Sequence, residues 1–151
     1  MSQQNLEVVR RWFAPLSGSP AELSAAASEL WDATGDYYPV PKFPEAQPCH
    51  GVEEIVQFLV RFGDAFARMD WAIRWLAAAG DDRVLACANL HAEGRGSGIE
   101  LNGDVYHCFW LRHGRFFRVE DHLTLNGALH ALGFEGATLE AVGLSEQEAG
   151  S

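Results

Sequence analysis

Near residue 69 the apolar residues change their period, and nothing else in the sequence restricts the fold as strongly. Before that point they recur at three- and four-residue spacing, as in Leu6, Val9, Phe13 and Leu16, or Ile55, Val56, Leu59, Val60 and Phe66. After it they alternate, as in Trp71, Ile73 and Trp75, then Val105, His107, Phe109 and Leu111. The first spacing fits helices with one buried stripe and the second fits half-buried strands. Helices followed by a run of long strands predict an α+β fold with segregated elements. A curved antiparallel sheet closed by three helices encloses a conical cavity, the expected place for a small ligand.

Punctuation along the chain supports this division. A first helix is predicted over 5–16, capped by Asn5 and stopped by Pro15 and Ser17-Gly18-Ser19. Ser19, Pro20 and Glu22 form an entry signature for a second helix, whose face runs through Leu23, Ala26, Ala27, Leu30 and Trp31 to about residue 35. Prolines 39, 41, 44 and 48 forbid helix, so 36–41 reads as extended and 42–50 as a loop over the cavity mouth. A third helix is predicted over 52–68. Strands follow over 70–79, 84–93, 99–112 and 115–124, joined at Gly80-Asp81-Asp82, at Gly94-Arg95-Gly96-Ser97-Gly98 and at His113-Gly114. Asn102-Gly103 is read as a bulge within one long strand. A short helix over 126–132 closes a single domain spanning 1–144, and 145–151 reads as a frayed tail.

Within the strands, ionisable residues interrupt apolar rows. His91 and Glu93 are two apart, so a strand puts them on one face with Asn89, and the expectation is that this face looks inward. Asp121 shares a row with Phe117, Val119 and Leu123, and a carboxylate in such a row suits a general base. His107 lies among Val105, Phe109 and Leu111, where a core histidine and a cavity histidine are equally compatible with the pattern. Burying such groups without partners is costly, so a functional reason is expected. The reading makes Asp121, His91, Glu93 and Tyr37 the catalytic set. His107, Asn89, Tyr38, Phe109, Val119, Trp31 and Phe62 are expected to bind the substrate. The aromatic set of Trp12, Trp31, Phe43, Phe58, Phe62, Trp75 and Phe109 is mostly core and implies an apolar, cyclic ligand.

Other chemistries find little support. A net charge of -10 argues against nucleic acid and anionic membranes as partners. Cys49, Cys87 and Cys108 are odd in number and show no zinc spacing, so they read as reduced buried thiols in a cytoplasmic protein. Neither a secretory leader nor a membrane-spanning run is evident. His91, Glu93, His107 and Asp121 have none of the usual metal-binding spacings, and the expectation is a protein without metal or cofactor. No nucleophile elbow is present. The alternate row Tyr106, Cys108 and Trp110 is apolar and faces away from the cavity, which predicts a homodimer through the outer face of the sheet.

The chain resembles the SnoaL-like branch of the nuclear transport factor 2-like superfamily, the cone-shaped α+β barrel. The carriers are Asn5-Leu6-Glu7-Val8-Val9-Arg10-Arg11, Gly51-Val52-Glu53-Glu54-Ile55, Gly80-Asp81-Asp82-Arg83-Val84, Gly94 to Gly98, and His113 to Glu120. The resemblance covers about residues 5–133. It implies isomerase, cyclase, dehydratase, epoxide hydrolase or non-enzymatic roles. Limonene epoxide hydrolases are similar in their polar residues. Their Tyr-x-Asn-x-Pro resembles Tyr37 to Pro41, their Asn-x-Arg-x-Asp resembles Asn89 to Glu93, and their last-strand aspartate matches Asp121. His91 stands for the arginine and Pro39 for the asparagine. In SnoaL-like cyclases the residue matching Asp121 acts alone as base. In scytalone dehydratase-like members histidines and tyrosines act, similar to His91, His107, Tyr37 and Tyr38. Each resemblance implies cofactor-free acid–base chemistry on a small hydrophobic molecule, and the alternative is a binding or dimerising domain.

Overall fold

The computed structural model describes residues 2–43, 45–96, 100–134 and 146–148. Its elements are α1 (Ser2–Leu16), α2 (Pro20–Leu30), β1 (Trp31–Tyr38), β2 (Cys49–His50), α3 (Val52–Asp64), β3 (Phe66–Ala79), β4 (Arg83–Gly94), β5 (Glu100–Arg112), β6 (Arg115–His122), α4 (Leu125–Ala131) and β7 (Glu146–Glu148). The architecture is α+β, as the change of period predicts. The strands form one curved sheet in the order β2-β1-β6-β5-β4-β3-β7, and among the described pairings only β1–β6 is parallel.

Local chemistry sets the helix ends. At α2, Glu22 N–H donates to Ser19 Oγ at 3.2 Å and Ser19 N–H donates to Glu22 Oε1 at 3.3 Å, a complete capping box with Pro20 behind it. Such a cap contributes about 1 kcal/mol. Asn5 does not cap α1. The helix begins earlier, and Asn5 Nδ2 donates to Asp81 O at 2.7 Å, tying α1 to the β3–β4 turn.

Two boundaries differ from expectation. Helix α2 stops at Leu30, and Trp31–Tyr38 is strand, because the aromatic and Thr-containing segment pairs with β6 rather than prolonging the helix. Gly35 permits this: a Cβ there would lie 2.8 Å from Trp31 Cε3. Helix α3 stops at Asp64, and β3 starts four residues before the predicted Asp70. Part of the expected frayed tail, Glu146–Glu148, pairs with Trp75–Ala77, while 149–151 lie outside the described residues.

The sheet has two packed faces. Its inner face meets α1, α2 and α3 through Val84, Ala86, Ala88, Leu90 and Ala92 of β4 and Val105, Phe109 and Leu111 of β5. The helices contribute Leu6, Val9, Phe13, Leu23, Ile55, Phe58 and Phe62 to that core. The outer face carries a smaller cluster of Leu85, Cys108, Ala128, Leu129 and Leu132, with Trp75, Tyr106 and Trp110 partly buried beside it. The row expected to meet a second copy is therefore covered in part by the chain's own α4. Cys108 Sγ donates to Ala128 O at 3.4 Å beneath that helix.

Irregularities decide which side chains face in. A shift between Ile73 and Trp75 sends Trp71 and Ile73 to the inner core and Trp75 to the outer cluster, splitting a row read as continuous. The Asn102-Gly103 pair, read as a bulge, instead sits in regular register opposite His91 and Leu90. A bulge falls instead in the β5–β6 hairpin, at Phe117, between Leu111↔Phe116 and Trp110↔Arg118.

Candidate active site

That bulge builds the site. Both residues of the β5–β6 turn have positive φ, 54° at His113 and 73° at Gly114, as a two-residue hairpin turn requires. A regular ladder from this turn would set His107 opposite Glu120. The extra residue at Phe117 sets it opposite Asp121, and both point inward. His107 is 4% exposed and Asp121 5%.

His107 Nδ1 lies 2.6 Å from Asp121 Oδ1. The approach is short, and Asp121 Oδ1 is buried without a hydrogen bond from any described residue. On the other carboxylate oxygen, Tyr37 Oη donates to Asp121 Oδ2. Burial, and then the Asp121 charge, push the Tyr37 phenol well above its ordinary pKa, so Tyr37 keeps its proton and remains the donor. Asp121 thus orients its neighbours from behind. With Nδ1 turned to the carboxylate, the other ring nitrogen of a neutral His107 carries the lone pair. That atom, Nε2, is buried and has no hydrogen-bond partner among the described residues.

His107 lines a narrow cavity. Its walls are Trp12, Leu16, Trp31, Tyr37, Phe43, Phe58, Leu59, Phe62, Met69, Trp71, His107 and Val119. The space is a narrow slot between aromatic rings. Phe43 and Phe62 lie 5.0 Å apart at one wall, so Phe43, from the stretch 42–50 read as a loop over the mouth, borders the cavity, while Cys49–His50 at its end is strand β2. The edges of Phe13 at 5.1 Å and Trp71 at 5.2 Å fix the His107 ring, and Phe109 stacks behind it at 6.2 Å.

The expected site residues separate into two groups. Asp121, Tyr37 and His107 come together, and Val119, Trp31 and Phe62 line the same cavity. Phe109 supports His107 without being part of the cavity wall. Asn89, His91, Glu93 and Tyr38 face the other way. The inward row of β4 is Val84, Ala86, Ala88, Leu90 and Ala92, one residue out of step with the expectation. The alanines bring α1 close to the sheet, and the ionisable residues remain in contact with water, avoiding the cost of burial. His91 Nε2 lies 3.9 Å from Glu100 Oε1, and Asn89 Nδ2 donates to Asn102 Oδ1 at 3.1 Å. Tyr38 lies outside beneath Arg118, whose Cζ is 4.6 Å from its ring. The set of His91, Glu93, His107 and Asp121 therefore lies on two faces of the sheet. Among the described residues, the metal-ligand types that converge are His91, Glu93 and Glu100, on the solvent side.

Sequence reasoning did not assign Trp71, Met69, Leu16 or Leu59 to the cavity. The alternation of β3 before its bulge carries the first two, and the helical stripe of α1 carries Leu16. The three cysteines are free and buried, as expected, and burial pushes Cys49 and Cys87 up to about 11. None of the described helices is long and apolar enough to cross a membrane.

The fold has many relatives among solved structures. A protein of Catenulispora acidiphila DSM 44928 with a ketosteroid isomerase-like fold, in complex with trimethylamine, shares 20% identity at a TM-score of 0.66 over 85% of this chain and 93% of that one. Bal32a, from a soil-derived mobile gene cassette, shares 24% at 0.70 over 80% and 89%. A protein of Jannaschia sp. CCS1, provisionally described as a SnoaL-like polyketide cyclase, shares 19% at 0.70 over 86% and 92%. No curated protein sequence matches significantly. The family model for the SnoaL-like domain matches residues 7–119, which span α1 through most of β6, and the chain belongs to that family.

Proposed function

We propose that this protein is a cofactor-independent acid–base enzyme that moves a proton on a small, flat, apolar molecule, as an isomerase, cyclase or dehydratase does. The observation that carries this reading is the state of His107: it lines an aromatic cavity, with Nδ1 against a buried carboxylate and Nε2 buried without a partner among the described residues. In this reading His107 Nε2 takes the proton and returns it. Asp121 positions the ring and stabilises the imidazolium that forms, and Tyr37 holds Asp121 in place. Asp121 thus acts through His107 rather than on substrate. An apolar aromatic surround strengthens each of these contacts. Epoxide hydrolysis is less favoured, because the strand triple that resembles the hydrolase motif faces away from the cavity.

The test is hydrogen–deuterium exchange into cyclic ketones and turnover of an epoxide panel, compared between wild type and His107→Gln. The expected loss in the variant is about 10²- to 10⁴-fold. Asp121→Asn should also lose most activity, because an amide beside Nδ1 favours the wrong tautomer. Equal exchange in wild type and both variants would support the second reading, a ligand-binding domain that keeps an enclosed aromatic cavity. A homodimer through the exposed parts of Tyr106 and Trp110, and a cytoplasmic location, belong to the same proposal. Light scattering at micromolar concentration tests the dimer.

A further inference from the structure

His91, Glu93 and Glu100 converge on the outer face of the sheet and have no task in the cavity. The strand ladder shows how they meet. His91 and Glu93 are two apart on β4 and share that face, and Glu100 on β5 lies directly opposite Glu93. Residues opposite each other in an antiparallel pair have Cβ atoms about 5 Å apart, and two like charges there repel. The cation best placed to relieve them is Arg68, opposite Glu93 on β3, but its Nε donates to Asp70 Oδ2 at 3.1 Å. Glu100 has only the contact of its Oε1 with His91 Nε2 at 3.9 Å, and among the described residues no cationic side chain pairs with Glu93. Donor atoms of all three lie within 4.8 Å of one another. Donors bound to one ion at about 2.0–2.2 Å stand roughly 3–3.5 Å apart, so these gaps must close by about 1 Å. The side chains can do so by rotation alone, because that of His91 is 36% exposed and that of Glu100 63%. Carboxylates by themselves would make an ordinary acidic surface. The imidazole changes the preference, since a ring nitrogen suits Zn²⁺, Ni²⁺ or Cu²⁺, whereas Ca²⁺ and Mg²⁺ take oxygen.

We propose that His91 Nε2 and one carboxylate oxygen each from Glu93 and Glu100 bind a divalent transition-metal ion of the Zn²⁺ class, with water in the remaining positions. The site is separate from the cavity. His107 and Asp121 lie on the opposite face of the sheet, and no proton moves through the ion. Its effect is on the fold. Glu93 and Glu100 stand at the two ends of the connection between β4 and β5, so an ion shared by them turns a repulsive pair into a clamp where the strands are joined. The ladder brings the three donors together and the unfolded chain does not, so the ion stabilises the folded state by mass action. A net charge of -10 favours its approach.

The test is calorimetric titration of ZnCl₂ into the full, untagged chain after treatment with a chelator, with CaCl₂ and MgCl₂ alongside. Wild type should bind Zn²⁺ saturably, one ion per chain, and more tightly than either of the other two ions. His91→Gln, Glu93→Gln and Glu100→Gln should each weaken Zn²⁺ binding by at least about tenfold, the effect of losing one of three ligands. His50→Gln removes another exposed histidine, paired with Asp36 at 2.6 Å, and should leave the binding unchanged. In chelator all four variants should unfold at the wild-type urea midpoint, which shows that they are folded. Added Zn²⁺ should raise that midpoint in wild type and in His50→Gln, but not in the three ligand variants. In ¹⁵N-histidine-labelled protein the ion should shift the ring signals of His91 and leave those of His107 in place. Absence of saturable binding in wild type overturns the proposal. So does Zn²⁺ binding that survives undiminished in Glu93→Gln or Glu100→Gln, and so does Ca²⁺ binding as tight as that of Zn²⁺.

Discussion

The two faces of the sheet carry similar residue types with different consequences. On the inner face, His107 and Asp121 are nearly sealed, held by Tyr37 and bounded by aromatic rings. On the outer face, His91, Glu93 and Glu100 gather within 4.8 Å of one another, half-buried or exposed. The inner pair sits at low effective dielectric, where one contact fixes a tautomer and a proton has few places to go. The outer trio is screened by water and salt, and such pairs contribute little. Both groups bring a histidine close to acids; burial and a place in a cavity wall set the inner one apart.

The contrast is sharpest in activity. His107→Gln should lower turnover on any true substrate by about 10²- to 10⁴-fold, whereas His91→Gln should change it less than about twofold. Equal losses would erase the distinction between the faces. Next in size is packing. Leu90→Ala, on the inner row of β4, should cost about 2–5 kcal/mol in urea unfolding. Leu101→Ala, opposite Ala92 at the open end of β5 and 38% exposed, should stay within about 0.5 kcal/mol.

A pH comparison isolates Tyr37. Its folded pKa lies above the unfolded value of 10.0, so the stability gained by keeping it neutral is complete below about pH 10 and is lost as pH rises further. Tyr37→Phe should be less stable than wild type near pH 8, because Asp121 Oδ2 loses its donor, by about 1–3 kcal/mol. That difference should shrink on going to pH 11, as read from urea midpoints at the two values. A gap that widens instead would contradict a buried neutral phenol. The smallest effect is expected at Glu93→Gln, within about 0.5 kcal/mol of wild type at low salt and at high salt alike.

Much of the fold was legible. The change of period set the class, Ser19, Pro20 and Glu22 marked a helix start that the structure keeps, and the His113-Gly114 turn fell where two positive-φ residues are needed. Asp121 inward and Tyr37 inward were also readable. The β4 row was not. Both of its faces begin apolar, with Val84 and Ala86 against the core and Leu85 and Cys87 under or near the outer cluster, so alternation alone does not say which row is inside. The decision lies with packing partners remote in sequence: α4 covers Leu85, and α1 needs the small Ala86, Ala88 and Ala92 beneath it. The role of His107 was hidden for a related reason. Its partner is set by a single extra residue at Phe117, and no local signal in Arg115 to Val119 announces a bulge.

The central claim is that His107 rests with its proton on Nδ1, facing Asp121, and with Nε2 bare. Two-bond proton–nitrogen correlation of ¹⁵N-histidine-labelled protein, with His107→Gln to assign the signals, reads this directly. The account predicts a fixed Nδ1–H tautomer for His107 near neutral pH. A His107 that carries its proton on Nε2, or that averages freely between the two nitrogens, would contradict it.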